Sequence, residues 1–218
     1  MNGATTENTS LRTTIRTAMR ARINRWRRRL WQPMFFRMLF GEAGQGGALL
    51  PLTRLSPTVC IEHPEGLQLA DDVFIGHFNF IEASGGVRIG RGAQITNFVS
   101  IVSHSTHRSV RVAAALAGQP SLLDGAERAG DVRAAVEIGA HGFIGPHSVI
   151  EAGARLGRAC LVQSHSRVRG AFPDFSVIGG QPARVLGDVR EADRRWLAAH
   201  PEWLPAYEAW AARVEKIQ

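Results

Sequence analysis

From Ile138 onward an aliphatic residue returns every six positions, at Ile144, Ile150, Leu156, Val162 and Val168. Glycine follows at once at Gly139, Gly145 and Gly157. The same step runs upstream through Leu69, Ile75 and Ile81 and then, after a shift in phase, through Ile89, Ile95 and Ile101. An amphipathic helix repeats every 3.6 residues and a half-buried strand every two, so neither produces this rhythm. Short straight segments joined by tight corners do, each segment sending one aliphatic side chain inward to stack on its equivalent one coil away. With three segments to a coil, residues eighteen apart should align, placing Ile138 over Leu156, Ile144 over Val162 and Ile150 over Val168. The expected fold class is all-β, a parallel β-helix spanning residues 49–187.

The rhythm fails over residues 103–135, which predicts an excursion from the coils. A connection of that length inside a compact domain usually carries function. It opens with "VSHSTHR", so His104 and His107 stand where the chain departs, and "RVAAALAGQPSLLDGAERAG" within it can hold a helical turn or two. Ahead of the coils lies an arm, residues 1–48, where Ser10 can cap a helix and Leu11, Ile15, Ala18, Met19, Ile23 and Trp26 recur at helical spacing. The glycine-rich "GEAGQGGALL" at 41–50 reads as a linker. The carboxy-terminal extension, residues 188–218, turns helical again, with Tyr207, Trp210 and Val214 on one face. It is expected to close the open end of the β-helix or to reach a neighbouring subunit.

Charge changes the picture mainly at the arm. The formal net charge is +7, and nine arginines lie from Arg12 to Arg37. A basic amphipathic helix can pack on the main domain with its arginines solvated, or lie on an anionic membrane surface through residues 11–40. No zinc-finger, KH or RRM pattern accompanies the arginines, so the charge supports no nucleic-acid function. Cys60 and Cys160 have neither disulfide-framework nor metal-site spacing. No apolar run reaches eighteen residues, and the polar opening "MNGATTENTS" is unlike a secretory signal. A cytoplasmic setting is expected, with the inner face of the membrane open to the arm.

"VEIGAHGFIGPHSVIEAGARLGRACLV" followed by "VIGGQPARVLG" resembles the hexapeptide-repeat acyltransferase superfamily, and within it the sugar and polysaccharide O-acetyltransferases. The likeness covers residues 57 to 187 and omits the arm and the last thirty residues. It implies a left-handed parallel β-helix, a homotrimer with active sites between subunits, acetyl-CoA as donor and a sugar or polysaccharide precursor as acceptor. The chemistry needs a base to take the hydroxyl proton as the oxygen attacks the thioester, and a neutral imidazole suits that exchange. The resemblance implies a histidine base in the excursion, and both His107 and His104 are candidates. It places Asn79 near the acceptor, with Glu82 either holding an imidazole tautomer, meeting the acceptor or facing solvent. For the donor it points to Gly142 and Ser164 along the pantetheine arm and to Arg169 and Arg184 at the phosphates, where the guanidinium fork suits phosphate oxygens. No metal is expected, because His141 and His147 sit on consecutive sides of the coil and cannot converge with the others. N-acyl transfer to an amino sugar, or a noncatalytic binding protein on the same scaffold, are the alternative functions.

Overall fold

The computed structural model describes residues 3–115 and 129–213. It divides into two units, residues 1–37 and 38–218. The first is one helix, α1 (Gly3–Phe35), with Pro33 in its last turn. Among the described residues no helix is long and apolar enough to cross a membrane.

The second unit is a three-sided stack of parallel coils. The first face carries Leu49–Leu55, Phe74–Ile75, Gln94–Ile95, Phe143–Ile144, Leu161–Val162 and Ser176–Gly180 in spatial order. The second carries Cys60–Glu62, Phe80–Glu82, Ser100–Val102, Val149–Ile150 and Arg167–Val168. The third carries Leu67–Leu69, Val87–Ile89, Val136–Ile138, Arg155–Leu156 and Ala171–Phe172. The expected alignments hold: Ile138 pairs with Leu156, Ile144 with Val162 and Ile150 with Val168. Ile75, Ile81, Ile95, Ile101, Ile144 and Ile150 are all fully buried, so the interior is a single aliphatic shaft.

The phase shift seen in the sequence has a structural cause. Between inward residues the chain takes six steps from the first face to the second (Ile75 to Ile81, Ile144 to Ile150) and six from the third to the first (Ile89 to Ile95, Leu156 to Val162). Only the corner between the second and third faces varies. It takes eight steps from Ile81 to Ile89, six from Ile150 to Leu156 and four from Val168 to Phe172. Coils before the excursion are therefore twenty residues long, as in the pairing of Ile75 with Ile95 and Ile81 with Ile101.

Stacked corner residues accompany one of the two constant corners. At the first-to-second corner Phe78, Phe98, His147 and His165 all adopt left-handed backbone, with φ between 58° and 60°. That conformation costs an L residue roughly 1–2 kcal/mol. Their rings stack in a ladder with centroid separations of 5.1, 4.9 and 4.9 Å. Such ring pairs contribute about 0.5–1.5 kcal/mol beyond burial, enough to offset much of the backbone cost. Glycine permits the close approach of coils elsewhere: a Cβ on Gly139 would strike the backbone of Gly157 and Arg158.

Both ends of the first sheet finish in antiparallel hairpins. Leu39–Ala43 pairs with Leu49–Leu55, so the glycine-rich stretch expected as a linker is the turn of a hairpin within the second unit. At the far end Ser176–Gly180 pairs with Ala183–Asp188. Two helices follow, α2 (Val189–Leu197) and α3 (Leu204–Ala211). They lie along the edge between the third and first faces, where Trp210 meets His141 at 5.5 Å and Phe175 at 5.8 Å. Arg158, 9% exposed, faces Phe175 at 4.6 Å and donates to the carbonyls of Trp210 and Ala211, placing a cation at the carboxy-terminal end of α3. The hairpin already pairs the outermost strand, which leaves the extension an edge to cover in place of the expected open end.

Replacing Arg158 with Met should free the extension while leaving the coils folded. Limited proteolysis should show faster cleavage within 204–213, with the β-sheet circular dichroism unchanged. Ile144→Ala, in the middle of the shaft, should cost about 2–5 kcal/mol by denaturant unfolding.

Candidate functional site

The excursion leaves from the one corner whose length varies. Ser103 fixes the departure: its hydroxyl donates to the Glu82 carbonyl at 2.9 Å and to Oε2 of the same residue at 3.0 Å. The Glu82 carboxylate also accepts the backbone N–H groups of Ser103 at 3.1 Å and Ser84 at 2.9 Å. Burial alone would push the Glu82 carboxyl upward, but the hydrogen bonds from Ser84 and Ser103 prevail and hold it below the usual glutamate range. Glu82 thus fastens the root of the excursion, and its bonded partners are serines and backbone, not an imidazole or a solvated acceptor.

The two arms of the excursion return together as a short antiparallel ribbon, His104 opposite Arg133 and Ser105 opposite Val132. The ribbon brings His104 beside Asp131, a residue that sequence reading did not single out. Nε2 of His104 lies 3.3 Å from Oδ2 of Asp131, with the side chains 23% and 11% exposed. The contact is an ion-pair approach without hydrogen-bond alignment at Nε2. His107 is exposed, and its Nδ1 sits 2.8 Å from the Ser105 hydroxyl. A short helix, Ser109–Ala115, follows; the expected helical turns of 116–128 lie outside the described residues.

The other candidates do not gather around this pair. Asn79 is 2% exposed and spent on the backbone: Nδ2 donates to the carbonyls of Gly76 and Thr96, and Oδ1 accepts the N–H of Val99 at 2.6 Å. It pins one corner to the next, leaving no N–H for a sugar hydroxyl. Gly142 is buried at the third-to-first corner, where a Cβ would face the Gly139 carbonyl and Ile138. It packs inside the corner instead of lining a surface. Ser164 is exposed at the first-to-second edge, Arg169 at the second-to-third edge, and Arg184 on the terminal strand, where it donates to the Ala183 carbonyl. Within one chain only Arg169 shares the excursion's edge.

Neither cysteine joins the site. Burial pushes the Cys160 thiol up to about 11, and it donates to the Pro173 carbonyl; Cys60 is exposed on the second face. His141 rests on Trp210 at one edge while His147 and His165 stack at another. Among the described residues no group of three His, Cys, Asp or Glu side chains is placed to hold a metal ion.

No protein-family model matches the chain. A Mycobacterium tuberculosis protein, by its name a probable acetyltransferase, is 29% identical over 124 residues, covering 57% of this chain and 38% of that protein. WbbJ of Escherichia coli, by its name a candidate lipopolysaccharide biosynthesis O-acetyl transferase, is 27% identical over 131 residues, covering 58% and 63%. The match thus spans less than two thirds of either relative. A hexapeptide-repeat acetyltransferase of Vibrio cholerae, solved with acetyl coenzyme A, superposes with a TM-score of 0.52 at 19% identity, over 75% of this chain and 77% of that one. The fold is that of the hexapeptide-repeat acetyltransferases. Among the described residues the histidine-bearing excursion interrupts the coils between Val102 and Val136.

The Glu82 clamp yields a pH prediction. A carboxyl held below its unfolded value, about 4.3, contributes stability that is full above that value and is lost as pH falls through the lower folded one. The melting temperature of the native protein should therefore drop below about pH 4, and Glu82→Gln, already less stable at neutral pH, should lose less over the same range in a thermal-melt series.

Proposed function

We propose that the protein is an acetyl-CoA-dependent O-acetyltransferase acting on a sugar hydroxyl in surface polysaccharide biosynthesis, with His104 as general base. The observation that carries this reading is the His104–Asp131 pair at the root of the excursion. A carboxylate beside Nε2 favours the tautomer with its proton there and leaves Nδ1 to accept one. In this reading Nδ1 takes the proton of the acceptor hydroxyl as its oxygen bonds to the thioester carbonyl carbon. The tetrahedral intermediate then collapses, the C–S bond breaks, and the proton passes from His104 to the departing thiolate. Asp131 offsets the imidazolium charge between the two steps. No covalent enzyme intermediate is required, which agrees with a Cys160 thiol that burial keeps protonated.

The donor side of the reading needs more than one copy of the chain. Arg169 and Ser164 lie at different edges of one protomer, and Arg184 on its terminal strand. A homotrimer with sites between subunits would set Arg169 at the excursion's edge of one copy opposite Ser164 or Arg184 of the next, with the guanidinium groups toward the donor's phosphates. The names of the relatives and the acetyl coenzyme A held by the Vibrio cholerae protein support this donor. The setting in this reading is cytoplasmic, with the arm in peripheral contact with the inner face of the membrane.

His104→Ala should lower kcat by about 10²–10⁴-fold in an acetyl-CoA turnover assay against a glycan panel. Asp131→Asn should lower it less and move the acid limb of the pH profile, while His107→Ala should leave most of the rate. Full turnover by His104→Ala would remove it as the base. Failure of the native chain to bind coenzyme A at all would favour a noncatalytic protein on the same scaffold, and transfer to amines alone would favour the N-acyl alternative.

A further inference from the structure

The arm carries a surface that the acetyl-transfer site does not use. Residues 8–41 contain nine arginines and no aspartate or glutamate. In α1 the side chains of Ile15, Met19, Ile23, Trp26, Leu30 and Met34 follow one another at steps of four, four, three, four and four. At 3.6 residues per turn these six fall within about 100° of arc, the width of an interfacial stripe. All six are 49% to 65% exposed. Arg20 and Arg27 run along one flank of the stripe with Arg16 at its margin, and Arg22 and Arg29 run along the other. The rest of the circumference is mixed, with the Trp31 and Phe35 rings meeting at a tilt, centroids 4.5 Å apart, so the segregation is a stripe between two basic rows and not a division into halves.

We propose that α1 docks lengthwise on an anionic bilayer surface, with the stripe of Ile15, Met19, Ile23, Trp26, Leu30 and Met34 entering the headgroup boundary between two rows of arginines. This rests on the peripheral contact of the functional reading and refines it by naming the face of the helix. An anionic interface fits both halves of the pattern. The apolar stripe gains by leaving water, and arginine stems on either side can lie along the acyl boundary while their guanidinium groups stay with the phosphates. A nucleic-acid backbone would use the arginines and leave six exposed apolar side chains unsatisfied. The absence of acidic residues from the segment removes the repulsion that would oppose approach to a negative leaflet.

The test is flotation of the full-length protein with vesicles of phosphatidylcholine alone and of phosphatidylcholine with about one third phosphatidylglycerol. Binding should be at least tenfold tighter to the anionic vesicles and should weaken as salt is raised from 0.05 to 0.5 M. Arg16→Gln, Arg20→Gln and Arg27→Gln together should weaken it about a hundredfold, at roughly 1 kcal/mol for each basic residue near the surface. Ile23→Asp with Leu30→Asp should abolish it, with helix content and the melting of the coiled domain unchanged. Equal binding to neutral and anionic vesicles would overturn the proposal. So would undiminished binding by the Ile23/Leu30 variant, or tighter binding to duplex DNA than to anionic vesicles. Acetyl transfer to a soluble acceptor should be unaffected in both variants, so a failure of docking and a failure of the acetyl-transfer reading give different results.

Discussion

One inward aliphatic residue per face, at a fixed six-residue interval across two of the three corners, is the constraint on which the rest of the domain depends. It sets the parallel pairing of each strand with its equivalent in the next coil, because a one-residue slip would turn an isoleucine out to solvent. It also forces left-handed backbone at the tight corners, which the ring ladder of Phe78, Phe98, His147 and His165 accompanies and helps to hold. Variation in length is confined to the remaining corner, and the excursion emerges there because extra chain at that point leaves the other two sides of the coil in register.

The site follows from that confinement. Glu82 and Ser103 belong to successive coils at the variable corner, and their hydrogen bonds fix where the chain leaves the shaft. The ribbon of His104–Ser105 with Val132–Arg133 then returns the far end of the excursion to its start, which is how an aspartate twenty-seven residues along the chain comes to lie beside His104. A rigid shaft therefore positions an ionisable pair that lies outside it. The carboxy-terminal extension, held by Arg158, covers a different edge.

The coils were legible in the sequence because their period is written in side chains that have to be aliphatic. Ile138, Ile144 and Ile150 announce their partners eighteen residues on, and the longer early coils show as a phase shift. The break in that period was legible for the same reason. Asp131 was not, because the approach of its carboxylate to His104 depends on a two-residue ribbon too short to leave a pattern, and nothing in the sequence separates it from Asp124 and Glu127 of the same excursion. Asn79 and Gly142 stand at positions that suggest a surface, and only the packing of successive corners shows that both are turned inward. The turn at 41–50 has a linker's composition, and its hairpin is set by pairing between Leu39–Ala43 and Leu49–Leu55.

A scaffold with two invariant corners and one permissive corner has a modular edge. Segments of different size can be exchanged at that edge without re-cutting the aliphatic core, since each new segment has only to begin and end one strand apart. Diversification of what such a protein recognises is then a matter of replacing a single graft, while the load of stability stays with coils that need not change.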